Sequence, residues 1–594
     1  MRELATILPY FRPYRAAMVW GMVLVVVANG FALIQPYLLK LPIDALTGLG
    51  GDDADVIRRT VLTYALLIVA AAVAGGAARY GMREILNGLS RRVEVDLRND
   101  FVRHLLRLDA GFYGANRTGD LMSLATNDTL AVRQAVGPAV MYTANTVVSF
   151  VVGLGVMIHI SPELTLAALA PMAVLPPVVQ WFGKTIHVRF ERIQEQFATL
   201  STMVQENLTG VRIVRAYGQE DAQAGEFDAL NRDYLKRNMH LAYASGAFHP
   251  IMGLMTGAAM VVVLWYGGGQ VIAGRIGVGD FVAFSFYLWL LAWPMIALGW
   301  VVNLYQRGAA SMGRLNRIFA IKPGITAPER PHPPPRGTPA IEFSDVSFRY
   351  PDTERLVLQD VSFSANPGRT VAIVGPTGSG KSTLVSLITR TWDPTSGAVL
   401  VDGVPLPDYD PADIRALTGF APQDSFLFSA KLGVNIGLGT SPSLPGSERA
   451  RRVREAAVAA DLHDTVTDFP EGYDTRLGER GINLSGGQKQ RATLARALAI
   501  DPPVLVLDDV LSAVDTATES RILSGLRDEL KDRTAFIISH RVTAVKDADL
   551  ILVLDEGRIV ERGRHQELVA LGGTYATLLR RQLLEQNLAG VGAA

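Results

Sequence analysis

There is no cysteine anywhere in the 594 residues, which excludes disulfides, thiolate metal sites and cysteine nucleophiles without naming a compartment. There is no net charge either. The 57 Lys and Arg balance 57 Asp and Glu, so no overall field recommends nucleic acid as a partner, and any polyanion must be held locally. Charge of either sign is scarce, at 19% of residues against 49% hydrophobic, where soluble proteins average roughly 25% charged. Disorder, collagen and a coiled coil are thereby excluded for the chain as a whole. The length exceeds one domain of on the order of 100–200 residues, so at least two units are expected.

The scarcity of charge is uneven. Residues 16–39 and 60–78 contain no Lys, Arg, Asp or Glu, and residues 134–183 contain Glu163 alone. A hydrocarbon core about 30 Å thick needs roughly 20 helical residues. The third window is too long for one crossing, and Ser161, Pro162 and Glu163 near its middle mark a tight hairpin. Residues 238–274 and 281–306 supply a last pair. Six spans are therefore expected, at about 16–39, 60–80, 135–160, 163–183, 245–274 and 279–306, in a membrane domain of residues 1–321. One such window could be a buried core helix; six exclude a soluble protein. The first window is longer than the 7–15-residue core of a signal peptide and is followed by five more spans.

Arginines cluster before the first span, between spans two and three, and between spans four and five, while the other hairpins have few. Cytoplasmic loops retain such residues, so both termini are expected in the cytoplasm. The two basic stretches have a helical pattern and read as extensions of the membrane helices. That pattern breaks at Phe112 to Leu121 and at Asn207 to Arg212, where hairpin tips would dock on another domain. Among the spans, Asn29, Gln35, Asn145, Asn303, Trp289 and Trp293 are polar or aromatic. Most are expected to pack helices or anchor them at the interface. A cavity without fixed charge would suit amphipathic or apolar cargo.

Residues 322–340 then hold Pro323, Pro328, Pro331, Pro333, Pro334, Pro335 and Pro339, the composition of a semi-rigid extended spacer. From Ile341 to the end, short apolar runs ending at Val374, Leu507, Ile538 and Leu554 alternate with amphipathic stretches, the pattern of a mostly parallel, doubly covered sheet. Gly375, Pro376, Thr377, Gly378, Ser379, Gly380, Lys381 and Ser382 fit G-x-x-x-x-G-K-[ST] between such a strand and the helical run beginning at Thr383. Glycines let backbone N–H groups turn inward on an anion, and the helix N-terminus adds its dipole. Lys381 is expected on the β- and γ-phosphates of ATP and Ser382 on Mg²⁺. Asp508, closing the run Val504 to Leu507, reads as the carboxylate of the same Mg²⁺ shell.

Leu484, Ser485, Gly486, Gly487 and Gln488, about twenty residues before Asp508, resemble the signature of the ATP-binding-cassette (ABC) proteins. The resemblance covers nearly the whole chain. It implies an exporter half-transporter: an all-α, six-helix transmembrane domain fused to a cytoplasmic α/β P-loop nucleotide-binding domain of residues 341–594. It further implies that Tyr350 stacks on adenine, that Thr383 completes the nucleotide contacts, and that Gln423 joins the Mg²⁺ shell and senses the membrane domain. Glu479 matches a loop that meets the hairpin tips, His540 the switch histidine near the γ-phosphate, and Ser512 to Asp515 the loop that communicates across the dimer. In the family two such domains close head to tail. The phosphate loop of one chain then faces Ser485, Gly486, Gly487 and Gln488 of the other, and closure turns the membrane cavity from inward- to outward-facing.

One residue departs from the family pattern. Where the general base is normally Glu, this chain has Asp509. Loss of a methylene retracts the carboxylate by roughly 1.5 Å, while a base must come within about 2.6–3.2 Å of its proton. The site built on this phosphate loop is expected to bind ATP and turn it over poorly, as in one member of a heterodimer whose second half-transporter subunit carries the glutamate. A slow homodimer is the alternative, since Tyr350, Gln423 and His540 are intact. An importer and an ATP-gated regulator of the same build are further alternatives. The expected setting is a lipid bilayer, with a small amphipathic substrate. Arg/Ala/Val-rich usage and the lack of an organellar targeting segment point to a bacterial inner membrane.

Overall fold

The computed structural model describes residues 2–48, 54–351, 353–478 and 481–591. It divides into two units, one holding the chain up to Leu106 together with Thr118–Ile321, the other Arg107–Arg117 together with the chain from Lys322 onward.

The first unit is helical. Five stretches, Glu3–Thr47, Asp55–Leu105, Thr118–Ile160, Pro162–Thr209 and Glu220–Ile272, are long and apolar enough to cross a membrane among the described residues. The sixth expected span lies in the helix Val278–Phe319, whose leading stretch Val278–Leu291 is apolar but shorter. The helix Ala54–Leu105 has 52 residues, roughly 80 Å at 1.5 Å per residue. It outruns the hydrocarbon by more than half its length, as the arginine-rich extension required.

The hairpin at residue 161 forms for local reasons. Ser161 caps the helix Pro162–Met172 by accepting the Leu164 N–H at 3.2 Å, Pro162 sits where no N–H is needed, and the Ser161 hydroxyl donates to Gln270 at 2.9 Å. Glu163, alone in its window, accepts from Tyr266 at 2.9 Å and Gln270 at 3.2 Å and lies 3.4 Å from Arg275 of the last hairpin. At the opposite end Asp128, buried, takes a two-pronged contact from Arg314 and a 2.9 Å hydrogen bond from Ser311, clamping two extension helices.

The second unit is α/β. An antiparallel sheet joins β1 (Ile341–Phe348), β2 (Leu358–Ala365), β4 (Ser396–Val401) and β5 (Val404–Pro405) in the order β2-β1-β4-β5. A second sheet takes β3 (Thr370–Val374), β6 (Thr418–Ala421), β7 (Val504–Asp508), β8 (Thr534–Ile538), β9 (Leu550–Asp555) and β10 (Arg558–Gly563) in the order β10-β9-β3-β8-β7-β6. Its pairings are parallel except at the β10 edge. The registers Ile373↔Ile538, Asp508↔Ile538 and Ala421↔Leu507 bring the carboxyl ends of β3, β8, β7 and β6 level. In parallel sheets that edge is where ligands sit.

The proline-rich segment is not a free spacer. Gly324 and Ile325 donate their N–H groups to Asp109 at 2.7 and 3.1 Å, His332 N–H reaches Asp408 O at 2.8 Å, and Thr338 bonds Asp532 O at 2.7 Å. Because proline withholds its own N–H, the intervening residues supply the donors that lay the segment along the second unit.

Candidate functional site

Lys381 opens the helix Lys381–Ile388 directly after the phosphate loop and is only 6% exposed. Its ammonium donates to Gly375 O at 2.9 Å and Pro376 O at 2.7 Å, so it is held inside the loop. Burial pulls its pKa below the usual lysine value, while the charges of Asp509 and Asp508 pull the other way. Gly375 is obligatory, because at φ +151° a Cβ would stand 2.0 Å from Leu554 O. Pro376, Thr377, Gly378 and Ser382 are exposed, Ser379 is buried, and Gly380 caps the helix in the left-handed region. The loop thus offers its outer backbone to an anion while its lysine and Ser379 are fixed from below.

Asp508 ends β7 and is 4% exposed, and its Oδ1 has no hydrogen-bond partner. Burial raises its pKa above the ordinary carboxylate value and the charge of Asp509 raises it further; the hydrogen bond from Ser382 and the charges of Lys381 and His540 lower it. A buried carboxylate oxygen left unpaired costs free energy unless something cationic meets it. The donor set fits Mg²⁺, which is held by one or two oxygens of the protein and completed by phosphates and water. No group of three His, Asp or Glu able to cage a metal exists among the described residues.

Asp509 follows in the left-handed region, at φ +50°, a conformation aspartate tolerates better than most residues. Its N–H bonds Ile538 O at 3.0 Å, and its carboxylate stands beside His540. Gln423 is exposed two residues beyond the end of β6, the strand that neighbours β7. Tyr350 donates or accepts at Thr383 Oγ1, 2.9 Å away, and meets Trp392 edge-on at 5.3 Å. Gln423, Asp508, Asp509 and His540 thus end or follow β6, β7 and β8 at the carboxyl edge of the six-stranded sheet, and Tyr350, after β1 of the antiparallel sheet, reaches the phosphate-loop helix at Thr383.

The signature does not join them. Ser485 caps the helix Gly486–Ala499 through a reciprocal pair with Gln488, at 2.9 and 3.3 Å, and Ser485 and Gly486 are exposed. Leu484 and the signature helix belong to a core with Leu427, Val510 and Val514, whereas the phosphate-loop helix belongs to a core with β1 and β2. No hydrogen bond connects the two motifs among the described residues. Glu479 lies outside the described residues.

Two residues were missed from the sequence. Gln490, 7% exposed, donates to Ser512 Oγ at 2.8 Å and accepts the Ala513 N–H at 2.8 Å, tying the loop after Asp509 to the signature helix. Trp392 joins Phe348 and Tyr350 on one side, and a Cβ built on Gly111 would lie 3.1 Å from it on the other. An amide on the buried face of a helix was the only signal for the first.

Residues 18–295 match the ABC transporter transmembrane region and residues 358–512 match the ABC transporter family. The chain is 36% identical to the probable multidrug resistance ABC transporter ATP-binding/permease protein YheI of Bacillus subtilis, covering 98% of both chains. The chain belongs to the ABC transporter family. It is also 36% identical to the multidrug resistance-like ATP-binding protein MdlA of Escherichia coli, over 99% of this chain and 98% of that one. To the ATP-dependent lipid A-core flippase of Burkholderia thailandensis it is 34% identical, over 97% and 94%. A solved bacterial Atm1-family ABC exporter with ATP bound superposes with a TM-score of 0.78 at 28% identity, covering 96% of this chain and 99% of that one. This ABC transporter therefore has the exporter fold expected from its sequence. It is a multi-pass membrane protein that binds ATP and couples its hydrolysis to transport.

Proposed function

We propose that this chain is one half of a dimeric ABC exporter that moves an amphipathic or hydrophobic substrate by alternating access, with its own ATP site weakened at Asp509. A second half-transporter subunit would carry the glutamate. The observation that carries the reading is Asp509 itself, whose backbone is bonded to Ile538 O and followed by Ser512 bonding back to Asp509 O at 3.0 Å. Held at both sides, the main chain has little freedom to advance the shorter carboxylate towards an attacking water.

Mg²⁺ would be held by Asp508 and Ser382, with Gln423 completing the shell, and would neutralise phosphate charge. Lys381 binds the phosphates, Tyr350 the base, and His540 the γ-phosphate side. The separate cores of phosphate loop and signature support completion of each site in trans, by Ser485, Gly486, Gly487 and Gln488 of the other subunit. The tip at Gly210 supports the same dimer, since Leu208, Ile213 and Tyr217 are all well over half exposed. The arginine distribution supports cytoplasmic termini, and the bacterial relatives support the inner membrane. A slow homodimer is the second reading, favoured by the position of Tyr350 and His540 about the phosphate loop and Asp509.

Purified alone and reconstituted, the chain should bind ATP and hydrolyse it slowly. Robust turnover unchanged by Asp509→Asn would defeat the weakened-site reading. Mg-ATP-dependent transport against a gradient in proteoliposomes tests export, and passive flux or opposite direction would replace it by a gated channel or an importer.

A further inference from the structure

The first unit carries three adjoining open clefts, of about 460, 560 and 540 Å³, into which the exposed Arg79, Arg83 and Arg307 contribute. The first shares Arg83, Met141 and Tyr142 with the second, and Ala32, Arg79, Trp289 and Leu290 with the third. Contrary to the expectation of a cavity without fixed charge, Arg79, Arg83 and Arg307 line it, and no carboxylate does. A fourth arginine, Arg133, shares Glu94 with Arg98, at 3.1 and 2.6 Å. None of Arg79, Arg83 and Arg307 has a carboxylate within ion-pair distance among the described residues.

Arg79 and Arg83 are four residues apart on the helix Ala54–Leu105, hence one turn apart on one face. On the helix Val278–Phe319, Trp300, Leu304 and Arg307 likewise share a face. Arg79 follows directly on the charge-free window 60–78, so the cations collect at the end of the span that runs into the basic extension. Beyond Arg79 the third cleft is walled by Ile68, Ala72, Phe286 and Trp289 and carries no other charge. Unpaired cations at the edge of an apolar bundle are costly and mark ligand or ion pathways. The guanidinium fork matches carboxylate and phosphate oxygens.

We infer that these clefts take an anionic amphiphile, a phosphate or carboxylate head held by Arg79, Arg83 and Arg307 with its apolar body against Phe286 and Trp289. The inference rests on the export reading and names the substrate class for it. The head belongs either to a bilayer lipid or to a soluble amphiphile.

The test uses the full chain in phosphatidylcholine nanodiscs, with binding of dodecyl phosphate, dodecyltrimethylammonium and dodecyl maltoside measured against empty discs. Dodecyl phosphate should bind about tenfold or more tightly than the other two, as charge-assisted bonds require. Arg79→Gln with Arg83→Gln should abolish that preference, and Arg79→Lys with Arg83→Lys should retain most of it. Phosphatidylglycerol in the disc that competes with the probe assigns the site to a lipid head; lack of competition assigns it to a soluble amphiphile, and both uphold the inference. Equal binding of all three probes overturns the anionic class and leaves export standing. Binding of none overturns the inference and leaves export to the proteoliposome test.

Discussion

His540 Nε2 stands 3.9 Å from Asp509 Oδ2, while the His540 backbone N–H points at Asp509 Oδ1 from 3.5 Å. Both contacts are long. The carboxylate is thus within the influence of the histidine without being locked to it, at the end of a backbone that Ile538 and Ser512 hold in place. A longer side chain would project further from the same fixed main chain.

Asp509→Glu should therefore raise kcat by about ten- to a hundredfold, since misplacement by 1 Å costs about that much, and leave the Kd for ATP within about twofold. Asp509→Asn should change the slow wild-type rate little. Steady-state ATPase and equilibrium nucleotide binding on the purified chain check both. A glutamate variant no faster than wild type would show that geometry at this position is not the limit.

Asp508 gives a prediction of opposite sign for stability and for binding. Its pKa is raised in the folded protein, by burial first and by Asp509 second. The folded state then binds a proton more readily than the unfolded one, so this group's contribution to stability grows as pH falls through the folded pKa and levels off below the unfolded value. At neutral pH the ionised group is a burden. Asp508→Asn should raise the melting temperature without nucleotide by roughly 2–4 °C, corresponding to about 1 kcal/mol, and abolish the further stabilisation by Mg-ATP. Thermal melts with and without Mg-ATP decide it; a less stable asparagine variant would refute the burden.

Much of this site was legible because its motifs are local. Gly375 to Ser382 needs only a strand before it and a helix after it, and both are where the hydrophobic pattern put them. Asp508 was legible as the polar end of a fully apolar run. Gln490 and Trp392 were not, because their roles depend on long-range packing: one on a loop 23 residues downstream, the other on Gly111. The charged cleft escaped for a related reason. Arg79 and Arg83 read in one dimension as the start of a basic extension, and only helix packing sets them along one cleft with Tyr142 and Trp289.

Removing the Gln490 side chain takes from the Ala513 N–H its acceptor and from the Ser512 hydroxyl oxygen its donor, while that hydroxyl still donates to Asp509 O. Gln490→Ala should destabilise the protein by about 1–3 kcal/mol and lower kcat more than it weakens ATP binding, because the tethered loop follows directly on Asp509. Gln490→Glu keeps the acceptor for the Ala513 N–H and loses only the amide donor to Ser512, whose proton stays on Asp509 O, so it should recover most of the rate. Denaturant melts and ATPase on the three proteins check this, and equal loss in Ala and Glu variants would count against a positioning role.

Gly111 sits in the short helix Ala110–Ala115, within the segment that belongs with the nucleotide-binding unit although it continues a membrane helix. A Cβ there would meet the Trp392 ring at 3.1 and 3.3 Å and Pro351 at 3.5 Å, so even alanine is tight and leucine cannot enter without moving the ring. Trp392 in turn leans on Tyr350, whose hydroxyl is bonded to Thr383 behind the phosphate loop. A push at Gly111 is therefore relayed to the residue proposed to hold adenine. Gly111→Leu should cut transport about tenfold or more while unstimulated ATPase falls much less, since the catalytic edge at Asp508 and Asp509 is not touched. Adding Trp392→Ala should restore part of the transport by making room for the leucine. Paired transport and ATPase measurements in proteoliposomes read both effects. Parallel loss of the two activities, unrelieved by the second substitution, would mean that Gly111 serves folding and not the transmission of movement.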